Sequence, residues 1–339
     1  MQLSEFDFPF DSSLIAAYPN IPRDHARLLV LDHSSCSHAH HRVDELPDLL
    51  QTGDLFVVNN TKVFAARVIG RKRTSGAATD ILFVKDLGSS IWEVLIKGAF
   101  RPGQIIEMGA EAVAVVVERS TVRTTVRVES PIPLPEWLRQ NGVMPLPPYM
   151  KRAPIDQDRE WYQTMFAQHE GAIAAPTAGL HFTPDLLARL QQQGIGVTSI
   201  TLHVGAGTFK PVTVDRIEDH QMDTEWIGVG TEAVHAIEQT RASGKRIVAV
   251  GTTVVRALET AAHVDGRLRP YSGETDMFLR PGYQFKVVDA LLTNFHLPRT
   301  TLLMLVSALA GTERLRRAYE EAVRERYRFY SYGDAMLVL

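Results

Sequence analysis

The sequence contains a single cysteine, Cys36, in 339 residues, and one cysteine excludes an intramolecular disulfide framework. Long apolar runs are also lacking, because none approaches the roughly 18 residues that a membrane-spanning helix requires. The first residues, MQLSEFDFPF, have neither the basic nor the apolar region of a secretory signal peptide. Together these absences favour a cytoplasmic protein that does not associate with a membrane.

An excess of charge of one sign is missing as well. The chain has 36 Lys and Arg against 39 Asp and Glu, for a net charge of −3. This balance gives no global indication of nucleic-acid binding, so any RNA contact requires a local basic patch. The sequence also has no P-loop, no Gly-x-Ser-x-Gly elbow and no His-Glu-x-x-His motif.

Recognisable metal motifs are likewise absent. The segment CSHAHHR places Cys36, His38 and His40 on one face of an extended stretch. Zinc normally requires a fourth ligand, usually from another Cys or His pair at a characteristic spacing. Because no such pair is nearby, we expect no metal.

Short β-branched segments with turn residues between them fill the stretch from about Arg67 to Glu129. They are ARVIGRK, TDILFVKD, IWEVLIKG, AVAVVVE and TTVRVE, and they predict a small all-β module. The next segment, SPIPLPEWLRQNGVMPLPPYMKR, is rich in proline, which a central strand cannot accommodate. We therefore predict that it is a stiff exit linker.

Strands alternate with helices over the rest of the chain, which predicts a largely parallel α/β domain. In TPDLLARLQQQG, Thr183 is the expected N-cap, Pro184 lies in the first turn, and Gly194 ends the helix. The segment GDLFVVNNTKV, before the β module, has the pattern of another buried strand. We expect an α/β domain formed by residues 1–64 and 152–339, into which an all-β domain, residues 65–151 with the linker, is inserted.

The segment AAPTAGLHFT is the first candidate for chemistry. Its small residues, around Thr177, allow a ligand to approach the backbone. His181 lies just before a helix, and the positive helix end favours the neutral imidazole. A histidine that is hydrogen-bonded within a turn is the alternative.

The segment VGTTVVRALET is the second candidate. Thr252 and Thr253 open a helix after a buried strand, and the free N–H groups there suit a carboxylate or a phosphate. Arg256 lies one turn further and can clamp a carboxylate. The alternative is a simple helix cap supplied by threonine.

Polar and aromatic residues are dense in ETDMFLRPGYQFKVVDALLTNFHLPRTT. Asp276, Tyr283, Phe285 and His296 fall there, and the site of an α/β protein forms where parallel strands end. Aromatic rings near a carboxylate suit a cationic ligand. The alternative is a core strand followed by a capped helix.

The final segment, FYSYGDAMLVL, places aromatic residues before Asp334 and after an arginine-rich helix. Such rings and arginines can stack bases and hold phosphate. A solvated basic helix with an apolar tail is the alternative.

The segment ITLHVGAGTFKPV contains Gly205 and Gly207 after an apolar run, as in a nucleotide-binding turn. A Rossmann fingerprint requires a third glycine and a following helix. Phe209 occupies the third position, and Pro211 interrupts any helix. A tight strand-to-loop turn fits better than a dinucleotide-type site.

Several of these motifs resemble the S-adenosylmethionine:tRNA ribosyltransferase-isomerase family of queuosine biosynthesis, nearly from end to end. The segments that carry the resemblance are PRDHARLLVLD, GDLFVVNNTKVFAARV, MPLPPYMKR, GAIAAPTAGLHFT, LHVGAGTFKPV, GTTVVRALE, PGYQFKVVDALLTNFHLPRTTLLMLVSALAG and FYSYGDAMLVL. The resemblance implies a distorted barrel-like α/β domain with an inserted β-barrel domain.

The resemblance also implies an activity. S-adenosylmethionine is the expected co-substrate, with no metal, and it donates its ribosyl group rather than its methyl group. The acceptor is 7-aminomethyl-7-deazaguanine at the wobble position of a tRNA, and the products are epoxyqueuosine-tRNA, adenine and methionine. We expect a monomer.

Within the matched motifs, His181 and His296 are the leading acid or base candidates, and Asp276 and Asp334 are carboxylate alternatives. The other predicted residues bind S-adenosylmethionine: Thr177, Gly205, Gly207, Thr252, Thr253, Arg256, Tyr283 and Phe285. The expected RNA contacts are Lys62, Arg67, Tyr149, Lys151, Arg152 and the C-terminal arginines.

Two other functions stay open on the residues alone. One is a conventional methyltransferase, which the GAGT segment suggests. The other is an RNA-binding β module on a scaffold without chemistry. Released adenine, released S-adenosylhomocysteine or neither would distinguish the three.

Overall fold

The computed structural model describes residues 1–32, 38–120, 123–205, 207, 212–262 and 265–339. The chain divides into two compact units. The larger contains Met1–Lys62, Pro148–Arg152 and Gln163–Leu339, and the smaller contains Val63–Pro147 and Ala153–Tyr162. The smaller unit thus extends past the expected boundary at residue 151, while residues 148–152 lie in the larger unit.

The N-terminal segment supplies four strands and a short helix. They are β1 (Arg27–Leu31), β2 (His38–Arg42), α1 (Leu46–Leu49), β3 (Leu55–Asn59) and β4 (Thr61–Val63). Every residue of β3 is buried, as the apolar run LFVVN predicts.

The smaller unit is a closed antiparallel barrel in the order β10-β7-β6-β5-β8-β9. Its elements are β5 (Arg67–Lys72), β6 (Ala78–Asp86), β7 (Ile91–Ile96), β8 (Ile105–Gly109), β9 (Ala112–Arg119), β10 (Thr124–Glu129), α2 (Leu134–Asn141) and α3 (Asp158–Trp161). Buried and exposed residues alternate along strands such as β7, because one face of each strand packs inside the barrel. The predicted β module is confirmed.

The predicted stiff exit linker is wrong. Residues 134–141 form α2, whose Trp137 and Leu138 are buried in the barrel core. Proline is tolerated in the first turn of a helix, since the N–H groups there have no partner within the helix. The prolines therefore mark the start of a helix rather than an extended linker.

The rest of the larger unit alternates strands with helices. Its elements are β11 (His169–Ala172), α4 (Pro184–Gln192), β12 (Gly196–Leu202), β13 (Glu225–Val229), α5 (Thr231–Ala242), β14 (Ile247–Val250), α6 (Thr252–Ala261), β15 (Tyr271–Thr275), β16 (Ala290–Asn294), α7 (Thr301–Ala310), α8 (Thr312–Arg324) and β17 (Ala335–Val338). Thr183 caps α4 by accepting the N–H of Leu186 at 3.1 Å, as predicted.

Nine strands form the main sheet, in the order β15-β13-β12-β3-β14-β16-β17-β1-β2. The central strands β12, β3, β14 and β16 are mutually parallel, and β17 is parallel to β1. The other pairings are antiparallel, so the sheet is mixed rather than largely parallel. The expected α/β class with an inserted β-barrel is confirmed.

The sheet positions a site through its four parallel central strands. Because these strands run in the same direction, their carboxyl ends meet at one edge, where ligands of α/β proteins bind. The core beneath them includes Phe56, Phe182, Leu186 and Leu292. Within the described ranges, no helix is both long and apolar enough to span a membrane.

Candidate functional site

A buried asparagine joins the carboxyl ends of the central strands. Asn59, the last residue of β3, donates from Nδ2 to the carbonyl of Leu202 at 2.9 Å and to Oγ1 of Thr253 at 3.4 Å. Its Oδ1 accepts the N–H groups of Leu202 and Thr61, both at 3.0 Å. These bonds tie the ends of β3 and β12 to the start of α6. Sequence reasoning missed Asn59, although a polar residue that closes a buried run was the available signal.

A glycine makes the turn from β14 into α6. Gly251 has a φ of +90° and is the N-cap residue, with no capping bond from a side chain. That φ lies in the left-handed region, which glycine tolerates and other residues rarely adopt. The cap predicted from threonine is therefore wrong, because Thr252 is already the first helical residue. The hydroxyl of Thr253 instead accepts from Asn59.

His181 lies in the short helix Thr177–His181 and faces the end of β16. Its Nε2 is 3.1 Å from Nδ2 of Asn294, the last residue of β16. The ring also forms a hydrogen bond with the backbone of Arg23. His181 is 4% exposed, and burial lowers its pKa to about 4, so the ring is neutral at physiological pH.

These contacts fix the His181 tautomer and the orientation of the Asn294 amide. A neutral imidazole carries one N–H, and the carbonyl of Arg23 takes it. Nε2 is then an acceptor for Nδ2 of Asn294, which also donates to the carbonyl of Tyr330 at 3.2 Å. If the Asn294 amide were flipped, its oxygen would face two acceptors, Nε2 of His181 and the carbonyl of Tyr330. Oδ1 of Asn294 is buried and has no hydrogen-bond partner among the described residues.

Asn59, His181, Gly251, Thr253 and Asn294 together are called the strand-end cluster below. Its two halves meet at Gly251, whose N–H bonds to the carbonyl of Leu292 in β16 at 2.8 Å. Four of these residues, Asn294 among them, lie in segments that the sequence marked as candidates for chemistry, whereas the role of Asn59 emerges only from the structure.

His296 follows the strand-end cluster in the chain and is also buried. Its Nε2 is 3.0 Å from Oγ1 of Thr293, and its backbone N–H donates to the hydroxyl of Tyr319 at 2.9 Å. Burial lowers the pKa of His296 to about 3. Like His181, it is a neutral hydrogen-bonding group at physiological pH.

Arg256 is engaged within the protein. The guanidinium forms a buried ion pair with Glu225 and donates to the carbonyls of Met277 at 3.1 Å and Thr275 at 3.4 Å. Glu225 also accepts the N–H of Gly205 at 2.9 Å. The arginine predicted to clamp a carboxylate is thus neutralised by a residue that sequence reasoning missed. A buried guanidinium requires such a partner because an unpaired buried charge is costly.

A cleft opens beside this ion pair, and it is called the Arg256 cleft below. Its apolar lining consists of Met222, Met277, Phe278, Leu279, Leu302 and Leu305. Asp223, Glu225 and Arg256 are its charged residues, and His220 and Gln221 add polar groups to the lining. Gly207 also lines it, and a Cβ there would lie 2.7 Å from Cβ of Asp223, so only glycine fits.

An adjoining, broader groove, which shares Met277 and Phe278 with the Arg256 cleft, contains Asp276 and Tyr283. The hydroxyl of Tyr283 donates to Glu259 at 3.0 Å, and its ring contacts Phe285 at 5.2 Å between centroids. Burial and the adjacent Glu259 carboxylate raise the pKa of Tyr283. Asp276 is exposed in this groove, whereas Phe285 does not line it.

Asp334 is buried next to the strand-end cluster, since β17 begins where β16 ends. Its carboxylate accepts the backbone N–H groups of Arg27 at 3.0 Å and Arg328 at 2.7 Å. Burial raises its pKa, and these bonds oppose the rise. Both oxygens therefore hold backbone in place.

Most of the predicted RNA contacts form bonds or ring contacts within the protein, whereas two lysines are exposed. Arg67 pairs with Asp80, and Arg316, Arg317 and Arg324 of α8 pair with glutamates of the same helix. The Tyr149 ring packs on Tyr330 at 3.9 Å, and Arg152 donates to the carbonyl of Ala17 at 2.8 Å. Lys62 and Lys151 are exposed.

A mixed sheet with polar side chains at the carboxyl ends of its parallel strands is the arrangement found in α/β enzymes. Comparison with known proteins narrows this class. The sequence model of the family described as "Queuosine biosynthesis protein" matches residues 3–338. This chain therefore belongs to that enzyme family.

Individual relatives agree along the full length. Proteins named S-adenosylmethionine:tRNA ribosyltransferase-isomerase from Xanthomonas oryzae pv. oryzae and from Aquifex aeolicus are each 48% identical over 345 residues. Both matches cover 100% of this chain, and they cover 97% and 100% of the relatives. The crystal structure of S-adenosylmethionine tRNA ribosyltransferase from Thermotoga maritima is 35% identical, with a TM-score of 0.58, and the match covers 99% of this chain and 100% of that one.

Proposed function

We propose that this protein transfers the ribosyl group of S-adenosylmethionine to a modified base of tRNA and isomerises it. The acceptor is 7-aminomethyl-7-deazaguanine at the wobble position, and the products are epoxyqueuosine-tRNA, adenine and methionine. The observation that carries this proposal is the full-length similarity to relatives named for that activity. The protein acts on tRNA in the cytoplasm.

The Arg256 cleft is our proposed site for S-adenosylmethionine. Its lining is mainly apolar with a few polar groups, which is typical of a small-molecule site. The substrate carries a sulfonium cation, an adenine ring and a methionine chain. The face of Phe278 suits the cation, and the leucines and methionines suit the adenine ring. The Arg256–Glu225 pair positions the wall of the cleft rather than clamping the carboxylate.

Asn294 is our proposed substrate-binding residue at the strand ends. A buried acceptor with no partner costs about 1–3 kcal/mol, and a donor on the substrate would remove that cost. His181 then acts as a positioning residue, because it holds Nδ2 of the amide and leaves Oδ1 for the substrate.

This role fits His181 better than proton transfer does. With a pKa of about 4, the His181 ring is only weakly protonated at neutral pH. Its acceptor nitrogen, Nε2, is already bonded to Nδ2 of Asn294. His296 stays a candidate as a neutral donor or acceptor. Asp276 and the helix start at Thr252 and Thr253 stay candidates for binding the charged groups of the substrate.

Product analysis tests the proposed function. The protein is incubated with S-adenosylmethionine and with tRNA that carries 7-aminomethyl-7-deazaguanine, and the small molecules and the digested tRNA are analysed by mass spectrometry. We expect adenine and methionine in equal amounts, with epoxyqueuosine in the tRNA. A matched tRNA with guanine at the wobble position is the control and yields none. S-adenosylhomocysteine would indicate a methyltransferase, and no turnover by folded protein would contradict the proposal.

A further inference from the structure

Two histidines and a glutamate meet on the surface of the larger unit. His38 and His40 lie two residues apart on β2, an edge strand, so their side chains point to the same side. Glu321 reaches them from α8. One ligand atom of each residue lies within 4.8 Å of the other two. The sequence pattern offered the histidines, and only the fold adds the third residue.

The distance between two of these ligand atoms suits a shared metal ion. Nε2 of His40 and Oε1 of Glu321 are 3.3 Å apart. A charged N–H···O bond is normally about 2.7–2.9 Å long. Two ligands that bind one zinc ion at about 2.0–2.1 Å in a tetrahedral arrangement are about 3.3 Å apart. The side chain of His38 is exposed and can rotate to supply the third ligand.

A buried tyrosine orients the ring of His40. Nδ1 of His40 is 2.7 Å from the hydroxyl of Tyr327, a residue with no exposed surface. The guanidinium of Arg27 lies over the tyrosine ring at 3.7 Å and holds it. Metal-binding histidines typically use their second ring nitrogen in this way, which leaves the first free for the ion.

Glu321 supplies negative charge at this place. Its side chain is 13% exposed and also pairs with Arg324. Arg324 is the competitor of a metal ion for this carboxylate, although its side chain is 69% exposed and free to swing away.

We propose that His38, His40 and Glu321 bind a divalent transition metal of the zinc class, with water completing the coordination. Two imidazoles and a carboxylate are ligands that zinc accepts. The ion links β2, at the edge of the sheet, to α8. This site is independent of the proposed enzymatic function, and it replaces our expectation from the sequence that there is no metal.

Metal binding by the full-length protein tests the proposal. The protein is freed of metal with a chelator and titrated with Zn²⁺ against a fluorescent competitor, and Co²⁺ reports the coordination through its visible absorption. We expect one saturable site and a four- or five-coordinate Co²⁺ spectrum. Each of His38→Gln, His40→Gln and Glu321→Gln should weaken the affinity by about 10-fold or more.

Two further variants sharpen this test. Arg324→Ala removes the competing cation and should tighten Zn²⁺ binding by about 3- to 10-fold. His41→Gln is the matched control, because His41 is also on β2 but pairs with Glu45 at 2.8 Å, and its affinity should be unchanged. Absence of saturable binding would overturn the proposal. So would binding that Cys36→Ser abolishes while Glu321→Gln leaves it intact. Cys36 lies outside the described residues.

Discussion

The roles of His181 and Asn294 can be separated by a double-mutant cycle. Asn294→Ala removes the Oδ1 acceptor, which has no described partner. If that atom binds a donor of the substrate, the loss is about 1–3 kcal/mol of transition-state stabilisation, which is about 5- to 150-fold in kcat/KM. His181→Ala leaves the amide in place but removes the bond that orients it. We therefore expect a smaller loss of the same kind.

The double variant decides between positioning and proton transfer. If His181 acts only through Asn294, the double variant is no worse than Asn294→Ala, and the coupling energy about equals the loss caused by His181→Ala. A general base would instead contribute about 10²- to 10⁴-fold, and its loss would add to that of Asn294. Additive losses, or a His181→Ala defect larger than that of Asn294→Ala, would refute the positioning role.

The assay is adenine release at several concentrations of S-adenosylmethionine, over a range of pH. Thr164→Val is a matched control, because Oγ1 of Thr164 is another buried atom without a partner among the described residues. We expect this control to retain full activity. Under the positioning role, the pH dependence of kcat/KM keeps its shape in His181→Ala.

Four other predictions concern stability and binding. His181 and His296 have folded pKa values of about 4 and about 3 and ordinary unfolded values, so the unfolded state binds more protons below pH 6.5. Their contribution to stability is complete above that pH and falls as the pH drops towards 4, by about 2 kcal/mol each at pH 5. Urea denaturation at pH 7 and at pH 5 measures this loss of stability. An unfolding midpoint that is the same at both pH values would contradict the burial of both histidine rings. Arg256→Ala should lower the free energy of unfolding by about 3–5 kcal/mol, because it leaves Glu225 buried without its partner. The double variant Arg256→Met with Glu225→Leu should recover most of this loss. Equal unfolding midpoints for Arg256→Ala and the double variant would disprove the coupling between Arg256 and Glu225. Trp137→Ala should cost about 3–5 kcal/mol in the barrel unit, read from its unfolding transition, and a loss below about 1 kcal/mol would mean that α2 does not complete the core. The logarithm of the affinity for tRNA, measured by filter binding, should fall linearly with the logarithm of the salt concentration, and a flat response would exclude phosphate contacts.

The sequence predicts local structure well where one short segment determines it. The Thr183 cap, the buried β3 strand and the barrel strands follow from capping chemistry and alternation. The segment that forms α2 was misjudged because its prolines suggested a linker. Burial of Trp137 against the barrel is a tertiary effect, and the proline count does not reveal it.

The sequence predicted which residues belong to the candidate site, but it did not predict which of them form bonds with one another. The sequence indicated His181 and Arg256, yet it could not show that Asn294 takes the acceptor nitrogen of one and Glu225 the charge of the other. Glu225 lies 31 residues before Arg256, and the antiparallel strand β13 brings it there. Because of these long-range partners, the charge of Arg256 and the acceptor nitrogen of His181 are engaged in the structure of the protein rather than free.

The central claim is that the ribosyl group, and not the methyl group, moves to the tRNA. S-adenosylmethionine labelled with ¹³C in its ribose, and in a parallel reaction labelled in its methyl group, tests this directly. The account predicts that ribose carbon enters the tRNA nucleoside in proportion to the adenine released, while the methyl label remains in methionine. Methyl label in the tRNA, or adenine release without transfer of ribose carbon, would contradict it.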